Sequence, residues 1–265
     1  MMERGFLVGC ARSGTTLFQA MLATHSDITS FPETHFFDRL YWGRKANTLR
    51  SLRALWVMFE VGRWVGQPAP FLVRPHLRRR DYGKDYIRLL DDAARRRGAR
   101  AWIEKTTSHA LFIDKILTVA PNAKFIHIIR DGRAVVASLY TLSESNPQYW
   151  GWARSLDVCC DRWNRSVRAS LKWKDHPNHR LYTYEALVSN TERILADACA
   201  LFGLEFETAM LQFQATAGEV IATHEDWKSN ATAALKSTGL ERYNTIFSDA
   251  QRQRIERLLD PSPAL

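Results

Sequence analysis

The chain has 265 residues, of which 46% are hydrophobic and 25% charged, enough for one ordinary globular domain with a full core. Its formal charge of +9 draws anions of any kind, whether nucleic acid, anionic lipid or a polyanionic small molecule, and does not choose among them. No apolar run approaches the roughly 18 residues that span a bilayer, and Cys10, Cys159, Cys160 and Cys199 lack metal-ligand spacing, so a cytoplasmic, untargeted protein with reduced structural thiols is expected.

Short β-type apolar runs alternate with helical spacing, the pattern of an α/β protein built on a parallel sheet. The first strand, Phe6-Leu7-Val8, runs into Gly9-Cys10-Ala11-Arg12-Ser13-Gly14-Thr15-Thr16 and then a helix with Leu17, Met21 and Leu22 on one face. A second strand over residues 28–31 ends before Pro32 and Glu33. Residues 39–100 read as a helical insert: Leu49, Leu52, Leu55, Trp56 and Phe59 fall at helical spacing, with a break at Gln67-Pro68-Ala69-Pro70. Its aromatic residues Trp42, Trp56, Phe59, Trp64 and Phe71 are expected in a core rather than a pocket, and Arg78 to Arg80 and Arg95 to Arg97 as solvated helix ends.

Strand 101–103 leads into Glu104 and Lys105, followed by a helix through Leu111, Ile113, Ile116 and Leu117. Strand 125–129 ends at Arg130, and Val135, Val136 and Leu139 mark the next helix. In the stretch from Tyr149 to Asp175, Trp150, Trp152, Trp163 and Trp173 are read as packing residues. The last strand, 180–184, precedes a helix through Leu187, Ile194, Leu195, Ala198 and Leu201, and Pro261-Ser262-Pro263 reads as a frayed end. All of residues 1–265 are expected to form one domain.

The glycine loop after the first strand is a ready anion site, since its backbone amides and the dipole of the following helix attract negative charge. Its spacing fits GxxxxGK[ST] except that Thr15 stands where a nucleotide triphosphatase has lysine, which counts against ATP or GTP hydrolysis. Arg12 puts a permanent charge inside the loop, and Ser13, Thr15 and Thr16 add hydroxyl donors. Glycines and threonines at such a junction also serve plain turn and cap chemistry.

Three segments carry a resemblance to the sulfotransferase superfamily, in particular its bacterial single-domain members and the protein-tyrosine sulfotransferases, and a fourth adds to it. Arg12-Ser13-Gly14-Thr15-Thr16-Leu17 resembles the family's loop for a 5′-phosphosulfate. Phe125 to Ser138 resembles its strand, loop and helix for a 3′-phosphate, with Arg130 and Ser138 in the binding positions. Glu104-Lys105-Thr106-Thr107 resembles its Glu-Lys-Thr segment, although Thr107 stands where proline often follows. Tyr184-Glu185-Ala186-Leu187 and the helix after it resemble the closing strand and helix, with Tyr184 near the adenosine. Together these segments run from residue 5 to about 205; Lys236 and Ser237 carry only a loose match.

The resemblance implies a P-loop-like fold with a central parallel sheet, flanking helices and the helical insert as an acceptor-side cap. It implies sulfuryl transfer from 3′-phosphoadenosine-5′-phosphosulfate to an acceptor hydroxyl, with no metal, because a sulfuryl in transit carries less charge than a phosphoryl and cationic side chains can stabilise it. Arg12, Ser13, Gly14, Thr15, Thr16, Arg130, Ser138 and Tyr184 then hold the donor, while Arg12 and Lys105 stabilise the transition state.

By position, Gly9, Glu33, Lys105, Arg130 and Tyr184 all fall at carboxyl ends of strands, where open α/β sheets bind ligands. Glu33 is read as general base, with His35 as the alternative. Other pairings stay open: Arg130 with Asp131, Glu33 with Arg39, Lys105 with Glu104. The acceptor is a small molecule, lipid, sugar or peptide, and oligomeric state is undetermined. Nucleic acid is not expected as partner, since no recognition motif accompanies the basic charge, and peripheral membrane contact stays open. The competing enzyme class is a P-loop small-molecule kinase or a nucleotide-binding protein.

Overall fold

The computed structural model describes residues 2–41, 47–64, 76, 78–214 and 239–263. Five strands form one parallel sheet in the order β2-β3-β1-β4-β5: β1 (Glu3–Gly9), β2 (Ile28–Phe31), β3 (Ala101–Lys105), β4 (Lys124–Ile129) and β5 (His179–Thr183). All five expected strands are present, each within a few residues of its expected bounds. The helices that serve them are α1 (Thr15–Ala23), α2 (Phe36–Tyr41), α3 (Asn47–Trp64), α4 (Arg79–Arg96), α5 (Ile113–Leu117), α6 (Gly132–Ser145), α7 (Pro147–Trp150), α8 (Leu156–Leu171), α9 (Tyr184–Ser189) and α10 (Thr191–Leu201). Two more, Gly239–Ile246 and Asp249–Leu258, follow near the C-terminus.

Parallel strands need crossovers, and the period-two alternation of β1 decides what each face receives. Leu7 joins Ile103, Ile126 and Ile128 beneath Leu17, Phe18 and Met21 of α1 and Leu195 of α10. Phe6 and Val8 point the other way, toward Trp102, Phe125, Tyr86 and Leu90 of α4, and Ile116 of α5. A third cluster joins Ile129 to Val135 and Leu139 of α6, Trp163 of α8, and Phe247 and Ile255 near the C-terminus. Since β1 sends its chain toward β2 on one side while β4 sits on the other, the gap between β1 and β4 is the switch point of the sheet.

Four details add to or differ from the sequence reading. Within residues 39–100, α4 is the crossover between β2 and β3, with Tyr82, Tyr86 and Leu90 in the core. In α3 the buried face is Val57, Met58 and Val61, so Trp56 and Phe59 face outward, 54% and 44% exposed; spacing alone cannot say which stripe of a helix meets the sheet. Trp42, Phe71, Lys236 and Ser237 lie outside the described residues. The helix expected from Leu187 to Leu201 is two helices, broken at Asn190, whose ψ of 47° is not helical. The C-terminal stretch is anchored: Arg168 holds Asp260 at 2.6 and 2.7 Å, and Ser262 and Pro263 line a cleft of about 200 Å³ with Arg130.

Candidate active site

At the switch point the chain leaves β1 and turns at once into α1. Gly9 ends the strand beside Ile128, whose carbonyl oxygen would collide with any Cβ at that position. Gly14 caps α1 at φ 94°, and a Cβ there would run into the Tyr184 ring. Arg12 between them has φ 72°, a left-handed conformation that is uncommon for a residue with a side chain and concentrates at functional sites. The Ser13 amide donates to the Cys10 carbonyl at 3.2 Å. The Ser13 hydroxyl is fully buried and has no hydrogen-bond partner among the described residues. Such an orphan costs about 1–3 kcal/mol. It sits where α1 begins without a side-chain cap, so an incoming anion would satisfy hydroxyl and helix terminus together. Thr15 is buried and Thr16 half-buried in the first turn of α1.

The loop after β4 closes on this one. Arg12 Nε donates to Ser138 Oγ at 3.0 Å, with Ser138 buried on α6. Arg130 Nη1 donates to the Arg12 carbonyl at 3.4 Å, and its guanidinium lies 4.1 Å over the Tyr184 ring. The Trp163 indole N–H holds the Arg130 carbonyl at 2.9 Å. Asp131 does not pair with Arg130; it caps α6 and binds Arg133 at 2.7 Å. Burial draws the Arg12 titration down to about 10, with the nearby charges of Arg130 and Arg242 adding to it and Glu33 opposing. Arg12 is thus still a cation at neutral pH, in a group of like charges that an anion would relieve. Arg242, on the helix Gly239–Ile246, was not foreseen, because it lies beyond the segments that carry a motif.

The second half of the site lies at the ends of β2 and β3. Lys105 is the last residue of β3, 1% exposed, and its ammonium forms an ion pair with Glu33 just past β2. Glu104 faces the opposite side of the sheet from Lys105, as strand alternation requires. Fully buried, Glu104 ties down the loop that carries Glu33. Its Oε1 accepts from the Thr34 amide at 3.2 Å, from the Thr34 hydroxyl at 2.9 Å and from Thr106, and its Oε2 faces His109 Nδ1 at 3.0 Å. His109 reads from the sequence as a structural core histidine and is one, but the roles of Glu104 and Thr34 were missed, since each contact crosses between elements. His35 lies 3.3 Å from Glu33 Oε2 and 3.1 Å from Asp38 Oδ2. Burial works against the charge of His35, but hydrogen bonds to Asp38 and Glu33 outweigh it and bring its titration up to about 9. At neutral pH His35 is therefore a cation, and a ring protonated on both nitrogens cannot take a proton.

One family model, described as Sulfotransferase family, matches residues 6–208. The chain belongs to the sulfotransferase family. It is 27% identical to protein-tyrosine sulfotransferase 1 of Mus musculus over 179 residues, 61% of this chain and 40% of that protein. Against the Danio rerio protein of the same name the identity is 27% over 225 residues, 81% of this chain and 57% of that protein. This sulfotransferase chain therefore spans about half or less of the length of those relatives. Its fold matches the sulfotransferase domain of the Synechococcus PCC 7002 olefin synthase with a TM-score of 0.63 at 20% identity, covering 99% of this chain and 96% of that one. It also matches mouse sulfotransferase SULT7A1 complexed with PAP, with a TM-score of 0.59 at 13% identity, covering 97% of this chain and 82% of that one. At such identities the likeness shows the P-loop-like fold. The family match takes in Arg12, Glu33, Lys105, Arg130, Ser138 and Tyr184 and ends before Arg242. No helix among the described residues is long and apolar enough to cross a membrane.

Proposed function

We propose that this protein transfers a sulfuryl group from 3′-phosphoadenosine-5′-phosphosulfate to an acceptor hydroxyl by in-line attack. The observation that carries the reading is the Lys105–Glu33 ion pair at the ends of two adjacent strands, beside a glycine loop whose buried Ser13 hydroxyl has no hydrogen-bond partner among the described residues. Bound donor supplies a phosphosulfate anhydride, whose 5′ end fits the loop from Arg12 to Thr16; the acceptor oxygen bonds to sulfur as the S–O bond to the 5′-phosphate breaks, and 3′-phosphoadenosine-5′-phosphate leaves. Arg130 and Ser138 would take the 3′-phosphate, and Tyr184 the adenosine side. Glu33 removes the acceptor's proton, with Lys105 and His35 set against its two carboxylate oxygens. Lys105 and Arg12 offset the charge that develops on the departing and transferring oxygens. Thr15 in place of the P-loop lysine disfavours the kinase reading. Four buried free thiols fit a reducing compartment, and we assign the protein to the cytoplasm on that ground.

The names of the curated relatives make a tyrosine peptide the first acceptor to try, ahead of small molecules, lipids and sugars. The test has two stages. Titration calorimetry with 3′-phosphoadenosine-5′-phosphate should give micromolar affinity without magnesium, lost in the Arg130→Ala, Ser138→Ala double variant and absent for ATP. Transfer of labelled sulfate should then fall roughly 10² to 10³-fold in Lys105→Ala and at least as far in Glu33→Gln. Preference for ATP with magnesium would overturn the donor assignment, and near wild-type turnover of Glu33→Gln the base assignment.

A further inference from the structure

Beyond its ion pair with Lys105, Glu33 stands at one end of a line of side chains that runs back into the protein. His35 Nε2 faces Glu33 Oε2 at 3.3 Å, and Nδ1 on the far side of the same ring faces Asp38 Oδ2 at 3.1 Å. Asp38, on α2, accepts a hydrogen bond from the Ser108 hydroxyl. Its other oxygen, Oδ1, has no hydrogen-bond partner among the described residues and lies 3.6 Å from His109 Nε2. Backbone geometry supports the arrangement. His35 sits at φ 52°, in the left-handed region, with its amide donating to Thr106 Oγ1 at 3.3 Å. Strain of that kind persists only where the surroundings over-determine it, and here it turns the imidazole into the space between two carboxylates.

We propose that Asp38 is a positioning residue for sulfuryl transfer: through His35 it keeps a cation against Glu33 and fixes the direction in which that carboxylate faces. The inference rests on Glu33 being the base. A protonated imidazole donates from both nitrogens, so one N–H goes to Asp38 and the other to Glu33. Glu33 is then gripped at Oε1 by Lys105 and at Oε2 by His35, and its carboxylate plane cannot swing.

Several charged and titratable groups face this pair. Lys105 stands behind Glu33, and Arg12 feels the Glu33 charge from the loop after β1. His109 and Glu104 stand behind Asp38, and Tyr86 of α4 hydrogen-bonds Thr34 at 2.8 Å. Burial, and next the charge of Glu104, keep the Tyr86 phenol protonated well above its ordinary value. For Asp38, burial favours the neutral acid, but the hydrogen bond from His35, the nearby His109 and the Ser108 hydroxyl outweigh it and hold the carboxyl below its usual value. His35 is raised, so its charge is present at lower pH and lost as pH climbs through about 9. Turnover should decline over the same range.

The experiment pairs two readouts on the full chain saturated with 3′-phosphoadenosine-5′-phosphate or the sulfated donor. Ring NMR titration of His35 should show a midpoint near 9 that drops by about one pH unit or more in Asp38→Asn and recovers in Asp38→Glu. The pH profile of sulfate transfer to a tyrosine peptide, or to water if the peptide is refused, should move its alkaline limb down by the same amount in Asp38→Asn, with donor affinity unchanged. An equal loss of rate at every pH, or a His35 midpoint that does not move, overturns the proposal. If Asp38→Asn does not fold, His35→Gln decides: it should lose the alkaline limb, and keeping it overturns the proposal. Near wild-type turnover in Glu33→Gln would instead remove the base reading, while the NMR midpoint still reports on the Asp38–His35 pair.

Discussion

Arg130 lays its guanidinium 4.1 Å over the ring of Tyr184, joining the carboxyl ends of β4 and β5. The same Tyr184 ring fills the space beside Gly14, so three segments of the chain share one aromatic surface at the proposed donor site. Tyr184 is thus a floor that orients Arg130 as well as a candidate contact for adenosine.

An ammonium cannot reproduce this stacking, because arginine brings a planar, weakly hydrated fork where lysine brings a point charge. Arg130→Lys should weaken binding of 3′-phosphoadenosine-5′-phosphate by roughly 10-fold and Arg130→Ala by roughly 100-fold, on the scale of about 1.4 kcal/mol per decade. Titration calorimetry checks both. Equal affinity in Arg130→Lys and wild type would mean that charge alone matters there.

Gly14→Ala should damage stability and donor binding together. The new methyl meets the Tyr184 ring, and the φ of 94° is strained for any residue with a Cβ. A loss of about 1–3 kcal/mol in urea unfolding is expected from such backbone and packing strain. Adding Tyr184→Ala should relieve the collision and leave the backbone cost. Full stability in Gly14→Ala would show that the loop relaxes freely.

The core holds a pH-sensitive pair away from the active site. His127 Nε2 and His179 Nδ1 are hydrogen-bonded at 2.9 Å, with His179 stacked against Phe125 and Trp173. Burial is the main reason that both titrate down near 3, with His179 further lowering His127 and His176 further lowering His179. In the unfolded chain both bind protons near 6.5. Their folded values are depressed, so the unfolded state gains protons first, and stability is full above about 6.5 and lost as pH falls from there toward 3. The slope is at most about 1.4 kcal/mol per pH unit for each histidine. Urea unfolding at pH 7 and pH 5 should show this loss, and His179→Phe should flatten it; an unchanged slope in that variant would place the acid sensitivity elsewhere.

Much of this was legible in the sequence because it is local. An apolar run followed by a glycine loop and a helical face specifies β1, the turn and α1 within twenty residues, and Arg130 after Phe125 to Ile129 is placed at a strand end by its neighbours alone. The same locality put Glu33 and Lys105 at the carboxyl edge of the sheet. Only the tertiary structure decided how those ends are arranged. The strand order brings β2 beside β3 and β4 beside β1, which sets Glu33 against Lys105 and Arg12 against Ser138. Alternation says that Glu104 and Lys105 face opposite ways, but not that one meets a buried network of Thr34, Thr106 and His109 while the other meets the site. The outward turn of Trp56, the break at Asn190 and the approach of Arg242 were likewise settled by packing between distant segments. Those contacts depend on which surfaces are left to bury once the sheet has formed, and no periodicity within one segment carries that information.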